Sequence, residues 1–409
     1  MAATRLVRRL AAPTDAVVEL PGSKSITNRA LVCAALARQP STLTGALLAD
    51  DTDAMIIGLR RLGTRVEVDG TTISVTRRKW SEAATLDARL SGTTARFLLP
   101  VLALGSGTYR LDGSAPLRAR PMGPSLDALR SLGARITGDE LPVEVRGPVL
   151  GGTVEVAGDM SSQFLSGLML AGAVMARGLR IELTTPLVSK PYVELTADVM
   201  RSFGAAVEGL HVSFSGYSGQ HYAIEPDASA ASYFFAAAAI TGGRVRVEGL
   251  GRSSKQGDVA FVEVLERMGA AVTWEEDAIT VRGTGTLRGV DVDMRDISDT
   301  AQTLASVAIF ADSPTRITGI GFIRRKETDR IGNTVAELRK LGIEAREEAD
   351  GFVVRPGSPM PGQVETYDDH RMAMSFALVG LRADGIEIAD PDCVGKTFPE
   401  FWSTLESLR

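Results

Sequence analysis

Only two of the 409 residues are cysteine and only three are histidine. Cys33 and Cys393 lie far apart and build no disulfide framework, so a reducing cytoplasm is the simpler reading. His211, His221 and His370 have no metal-ligand spacing with one another or with the cysteines, and neither a metal nor another cofactor is expected. No apolar run approaches the length of a membrane span. The start, MAATRLVRRLAAPTDAVVEL, is basic but lacks an apolar signal core and reads as mature and cytoplasmic. Positive charge is also short: 45 Lys and Arg face 50 Asp and Glu, for a net charge of -5. With no interleaving of basic and aromatic residues, this argues against nucleic acid and anionic membrane as partners. Any anion must therefore be held by a local basic cluster. GxSxG and GxGxxG are missing, and the GKT at Gly395–Thr397 is no phosphate loop because Asp390 stands where its first glycine belongs.

What is present is ample core: 44% of residues are hydrophobic and 23% charged, in a chain long enough for two or three ordinary domains or two large ones. One helix-end pattern recurs as LRRLGTRV, LRSLGARI, MRSFGAAV, LERMGAAV and LRKLGIEA, beginning at residues 59, 129, 200, 265 and 338. In each, an apolar helical register meets a glycine suited to a left-handed C-cap, and a strand pattern follows. A second pattern opens long apolar helices with Ser or Asp at Ser23, Ser91, Ser161, Ser229, Ser298 and Asp369. Two independent signals share one period, and six units of about 68 residues fill the chain. A helix apolar on every side belongs inside a domain. The expected fold is thus α/β: two similar domains of three units each, with buried helices and a cleft between the domains. The helix opening at Asp227 puts the boundary near residue 226, giving domains of 21–226 and of 1–20 plus 227–409.

Helix N-termini present unpaired N–H groups and partial positive charge, which suit phosphate. The polar residues cluster at these starts. PGSKSITNRA holds Lys24, Ser25 and Arg29; LSGTTAR holds Gly92 and Arg96; RARPMG holds Arg118 and Arg120. Ser161, Ser162 and Gln163 follow as SSQF, where an ordinary N-cap is the competing reading, then LVSKPY with Ser189, Lys190 and Tyr192. DISDTAQ places Asp296 and Asp299 at a helix start, again open to simple capping. RRKETDRI packs Arg324, Arg325, Lys326, Glu327, Asp329 and Arg330 together, which a solvated charged turn would also do. DDHRMAM sets His370 and Arg371 at the mouth of an apolar helix, where His370 is either a cap or part of a site. Lysine is scarce, seven against 38 arginines, yet Lys24, Lys190, Lys326 and Lys396 all fall in these motifs. A site rich in Lys, Arg and helix ends, with carboxylates at hand, describes acid–base chemistry on small polyanions.

Taken in order, GSKSITNRA, SGTTAR, RARP, SSQF, LVSKPY, KETDR, DHRMAM and GKTFPEF resemble the 5-enolpyruvylshikimate-3-phosphate (EPSP) synthase family over essentially the whole chain. That resemblance implies two domains of three βαβαββ repeats, the enolpyruvyl transferase fold. It implies transfer of the enolpyruvyl group of phosphoenolpyruvate to the 5-hydroxyl of shikimate 3-phosphate by a cytoplasmic monomer without cofactor. Lys24, Ser25, Arg29, Ser161, Ser162, Ser189, Tyr192, Asp299 and Lys326 would contact shikimate 3-phosphate. Lys24, Gly92, Arg120, Gln163, Arg330, Arg371 and Lys396 would contact phosphoenolpyruvate. Asp299 would take the hydroxyl proton, Glu327 would protonate the methylene, Lys24 would assist, and His370 would support these groups from behind. The domain 21–226 would supply mostly the shikimate 3-phosphate side, and the other mostly the phosphoenolpyruvate side. Leu90 and Phe322 depart from the pattern, standing where the family often (Leu90) or in some members (Phe322) carries Asn. UDP-N-acetylglucosamine enolpyruvyl transferases are the nearest rival, but their reactive Cys has no counterpart in the loop DGSAPLRARP. A non-catalytic anion-binding relative would be expected to lose Lys24, Asp299 or Glu327, and all three are present.

Overall fold

The computed structural model describes residues 3–409. The chain forms two compact units, one of residues 22–225 and one combining 1–21 with 226–409. Each has its own hydrophobic core.

Three repeats build the unit 22–225. The middle repeat shows the plan most fully: strand Ala83–Asp87, helix Gly92–Leu102, strand Thr108–Asp112, helix Gly123–Ser131, then strands Arg135–Thr137 and Val143–Arg146. The first two strands pair in parallel across the buried helix, and the last two add antiparallel. The third repeat follows the same plan from Gly152–Val156 to His211–Val212. The first repeat is permuted. Its opening strand, His221–Ala223, comes from the far end of the unit and pairs in parallel with Ser41–Thr44. In the other unit the same device recurs, as the N-terminal strand Asp15–Val18 pairs in parallel with Arg244–Glu248. The sixth repeat is the most reduced, a three-stranded sheet of Gly362–Val364, Ile386–Ala389 and Thr4–Leu6.

The buried helices follow from composition. In Ala228–Thr241 (ASAASYFFAAAAIT) every residue but the last is buried, as a helix apolar on all sides requires. Small residues let such helices come close. A Cβ on Gly167 would sit 2.2 Å from the carbonyl oxygen of Arg96, so the helices Ser162–Gly172 and Gly92–Leu102 meet backbone to backbone there. The glycines ending the recurrent helix pattern, Gly63, Gly133, Gly204, Gly269 and Gly342, all adopt positive φ. At two helix starts the structure refines the sequence reading, choosing Asp227 over Ser229 in the first of them. The fourth buried helix is capped by Asp227, whose side chain accepts from Ala230 N, while the hydroxyl of Ser229 donates to Asp258. Ser298 opens a short 3-10 turn, Ser298–Thr300, before the helix Ala301–Ala308.

Candidate active site

In the unit 22–225, polar side chains gather at the starts of the three buried helices. Ser23, Ser91 and Ser161 cap them, accepting from Ile26, Thr94 and Gln163 N–H groups. Lys24 therefore emerges in the first turn of its helix, 3.5 Å from the buried carboxylate of Asp51. Gly92 occupies the equivalent place in the next helix, and the Arg120 guanidinium fills the space a side chain would take. A Cβ on Gly92 would lie 2.8 Å from its terminal nitrogen. Gln163 is oriented from both ends: Arg96 donates to its Oε1 at 2.6 Å, and its own Nε2 donates to Thr93 at 3.2 Å. Arg96 is braced in turn by the Pro121 carbonyl and the face of Phe164. Ser162 and Ser189 are buried, with Ser161 and Tyr192 half-buried. Ser189 holds a left-handed conformation (φ 52°) immediately before the helix Lys190–Ser202.

Arg29 is placed differently from the other cations. It is 2% exposed, and its guanidinium donates to Thr196, Ser166 and the carbonyls of Ser25 and Tyr192. Burial pushes its pKa down to about 10, so it remains a cation at neutral pH. In this arrangement Arg29 ties three helices together behind Ser25 and Tyr192.

The other unit holds an ion-pair network. Asp299, in the 3-10 turn, accepts from Lys326 (2.5 Å), Arg330 (3.3 Å) and Arg371 (2.7 Å). Glu327 lies between Arg330 (2.7 Å) and Lys396 (3.0 Å). Arg330, 1% exposed, also forms a bidentate pair with Asp369 at 2.7 and 3.1 Å. Asp369 doubles as cap of the helix His370–Gly380, accepting from Arg371 N. His370 is buried with Nδ1 3.5 Å from the same carboxylate. Phe322 lies under Lys326, 5.8 Å from its ammonium.

Four cations thus face three carboxylates in this network. Burial lowers the Lys326 pKa, and Asp299 offsets this only in part. For Arg330, burial is outweighed by Asp369, Glu327 and Asp299, and its pKa is raised. Such a surplus of confined positive charge suits anions, and the Arg forks suit planar carboxylates and phosphates.

The RRKETDRI segment resolves into two faces. Arg324 turns outward to Asp329 and Glu347, a surface pairing, while Lys326, Glu327 and Arg330 turn into the network. Likewise Asp296 is exposed, whereas Asp299 is drawn inward. Two contributors were not singled out from sequence as site residues, Asp51 beside Lys24 and Asp369 beside Arg330, and Arg96, named with its motif but given no role, orients Gln163. The signal for Arg96 was its place one helical turn beyond Gly92. Among the described residues there is no His, Cys, Asp and Glu grouping suited to a metal, and no helix long and apolar enough to cross a membrane.

Permuted βαβαββ repeats around buried helices define the enolpyruvyl transferase fold. Its solved examples include the enolpyruvyl transferase NikO from Streptomyces tendae, with a TM-score of 0.79 and 22% identity over 100% of this chain and 98% of that one. An EPSP synthase from Acinetobacter baumannii aligns with a TM-score of 0.81 at 27% identity, covering 99% of this chain and 98% of that one. The model of the EPSP synthase (3-phosphoshikimate 1-carboxyvinyltransferase) family matches residues 9–405, and the chain belongs to that family. Relatives named 3-phosphoshikimate 1-carboxyvinyltransferase include those of Trichormus variabilis (43% identical) and Hamiltonella defensa (44%), each alignment covering 96% of both chains.

Proposed function

We propose that this protein transfers the enolpyruvyl group of phosphoenolpyruvate to the 5-hydroxyl of shikimate 3-phosphate and releases phosphate. The observation that carries this reading is the network in which Asp299 and Glu327 are held by Lys326, Arg330, Arg371 and Lys396. Both substrates are polyanions. At about 5 Å and an effective dielectric near 20, each pair of unit charges repels by roughly 3 kcal/mol. Confined lysines and arginines offset that repulsion.

In the unit 22–225 we assign Lys24, Ser25, Arg29, Ser161, Ser162, Ser189 and Tyr192 to shikimate 3-phosphate. Arg29 acts there by holding Ser25 and Tyr192. Lys24, Gly92, Arg120 and Gln163 are assigned to phosphoenolpyruvate. In the other unit, Arg330, Arg371 and Lys396 take phosphoenolpyruvate, and Asp299 and Lys326 take the shikimate side. His370 supports the Asp369 cap from within the core.

Asp299 accepts the 5-hydroxyl proton as the oxygen adds to C2 of phosphoenolpyruvate, and Glu327 delivers a proton to the methylene carbon. The tetrahedral adduct then expels phosphate as a proton leaves the new methyl group, restoring the double bond. An anion bound to Arg330 and Lys396 competes with Glu327 for their N–H groups. A carboxyl released from two cations is the form able to carry a proton. No step calls for a metal.

The direct test is phosphate release by purified protein given both substrates, with no added metal and with excess chelator. Turnover that required restoring a divalent ion would overturn the metal-free reading. We further read the protein as a cytoplasmic monomer, which light scattering on the purified chain checks for its oligomeric half. Gly92→Ala supplies a sharper test of the phosphoenolpyruvate side. The added methyl displaces only the flexible tip of Arg120, so the unfolding midpoint should barely move. The phosphoenolpyruvate KM should rise about tenfold, the scale of one displaced charged hydrogen bond. An unchanged KM would remove Arg120 from that role.

A further inference from the structure

Glu337 lies in the helix Gly332–Lys340, away from Asp299 and Glu327, yet its carboxylate is wholly buried. Oε1 accepts from Lys340 Nζ (2.7 Å) and from the hydroxyl of Tyr367 (2.5 Å), while Oε2 accepts from the backbone N–H of Glu365 (3.0 Å). A buried carboxylate is costly unless each oxygen is satisfied, and here the partners come mainly from one segment, residues 365–367.

That segment has an unusual backbone. Tyr367 and Asp368 are consecutive non-glycine residues in the left-handed region, with φ of 54° and 59°. Such conformations persist only where surrounding contacts over-determine them, and they concentrate at functional sites. The next residues are Asp369, which holds Arg330, and Arg371, which holds Asp299.

The two segments are thus fastened twice. Arg330 lies just before the helix Gly332–Lys340, and Glu337 lies within it. Arg330 grips Asp369 at one end, and Glu337 grips Glu365 and Tyr367 at the other. Burial and the adjoining Glu337 raise the Tyr367 pKa, so its hydroxyl remains a donor across the working pH range.

We propose that Glu337 and Tyr367 form a latch that holds the left-handed turn at 367–368 and thereby positions Asp369 and Arg371 for phosphoenolpyruvate. Both are positioning residues, acting through Asp369 and Arg371. The catalytic part of this inference rests on the enolpyruvyl transfer proposed above. The latch itself does not.

The test uses the full-length protein with Tyr367→Phe, which removes only the hydroxyl, and Glu337→Gln. Backbone hydrogen exchange over residues 365–372 should quicken in Tyr367→Phe by about tenfold, the scale of one lost hydrogen bond, with the rest of the chain unchanged. The phosphoenolpyruvate KM should rise by about the same factor, while kcat changes less and the shikimate 3-phosphate Kd is unmoved. Glu337→Gln, if it folds, should act in the same direction, and the double variant should be no worse than the more damaging single. Unchanged exchange in Tyr367→Phe would overturn the latch. Faster exchange with an unchanged KM would overturn its positioning role. Wild-type protein that released no phosphate would instead sink the proposed reaction, and the exchange measurement would still judge the latch.

Discussion

Glu327→Gln and Asp299→Asn are each expected to lower turnover at least ~100-fold, the usual scale of general acid–base catalysis, while shikimate 3-phosphate still binds. The amide preserves the shape of the side chain but neither accepts a proton as a carboxylate does nor delivers one as a carboxylic acid does. The two variants then part company. Glu327→Gln removes the proposed donor to carbon, so exchange of solvent deuterium into the phosphoenolpyruvate methylene should slow with it. The competing reading treats Asp299 as a helix cap and Glu327 as a surface charge. A lost cap costs about 1 kcal/mol, a lost surface pair less, and neither slows chemistry. The contacts weigh against that reading: the carboxylate oxygens of Asp299 accept from Lys326, Arg330 and Arg371, and Glu327 lies against Arg330 and Lys396. Stopped-flow phosphate release, with the unfolding midpoint measured beside it, decides between them. Near-wild-type turnover in either variant would move the proton transfer to Lys24.

Arg330→Met should produce the largest loss of stability of any single change in the network. Arg330 is 1% exposed and satisfies Asp369, itself fully buried, through a bidentate pair, while also contacting Glu327 and Asp299. Methionine fills much of the volume but leaves the Asp369 carboxylate buried beside no guanidinium. Removing one partner of a buried pair costs about 3–5 kcal/mol, because the remaining charge is stranded. Asp369→Asn in the Arg330→Met background should restore part of that loss, since the stranded charge is gone. Denaturant unfolding of the two single variants and the double closes the cycle. Equal stability of Arg330→Met and the double variant would show that Asp369 is not what Arg330 satisfies. By contrast, Arg324→Ala, which breaks pairs with Asp329 and Glu347 on a partly exposed face, should cost under about 1 kcal/mol. Two arginines within one seven-residue run are thus expected to differ several-fold in their effect.

The contrast marks what a linear sequence carries. Period and polarity are local properties, so the apolar helices, the left-handed glycines that end LRRLG and its four counterparts, and the six repeats were all legible in the chain alone. So was the placement of Lys24, Gly92, Gln163, Asp299 and Arg371 at helix starts, where unpaired N–H groups suit an anion. Local pattern did not separate Arg324 from Arg330; only the family resemblance did, by matching Arg330 to a site position. The separation depends on which face of a turn meets the core, and both faces are charged. Nor did local pattern separate Asp296 from Asp299, each a plausible cap, until the resemblance singled out Asp299. Tertiary structure also decided the partners that arrive from other elements of the chain: Asp51 beside Lys24, Asp369 across 39 residues from Arg330, and Glu337 beneath Tyr367. Their identity rests on the cost of leaving a buried charge unpaired, and the partner that meets that need is chosen by proximity in space. Arg29 shows the same limit from the other side. Its motif marked it as an anion ligand, and only the packed helices reveal that its guanidinium is engaged by Thr196, Ser166 and two carbonyls.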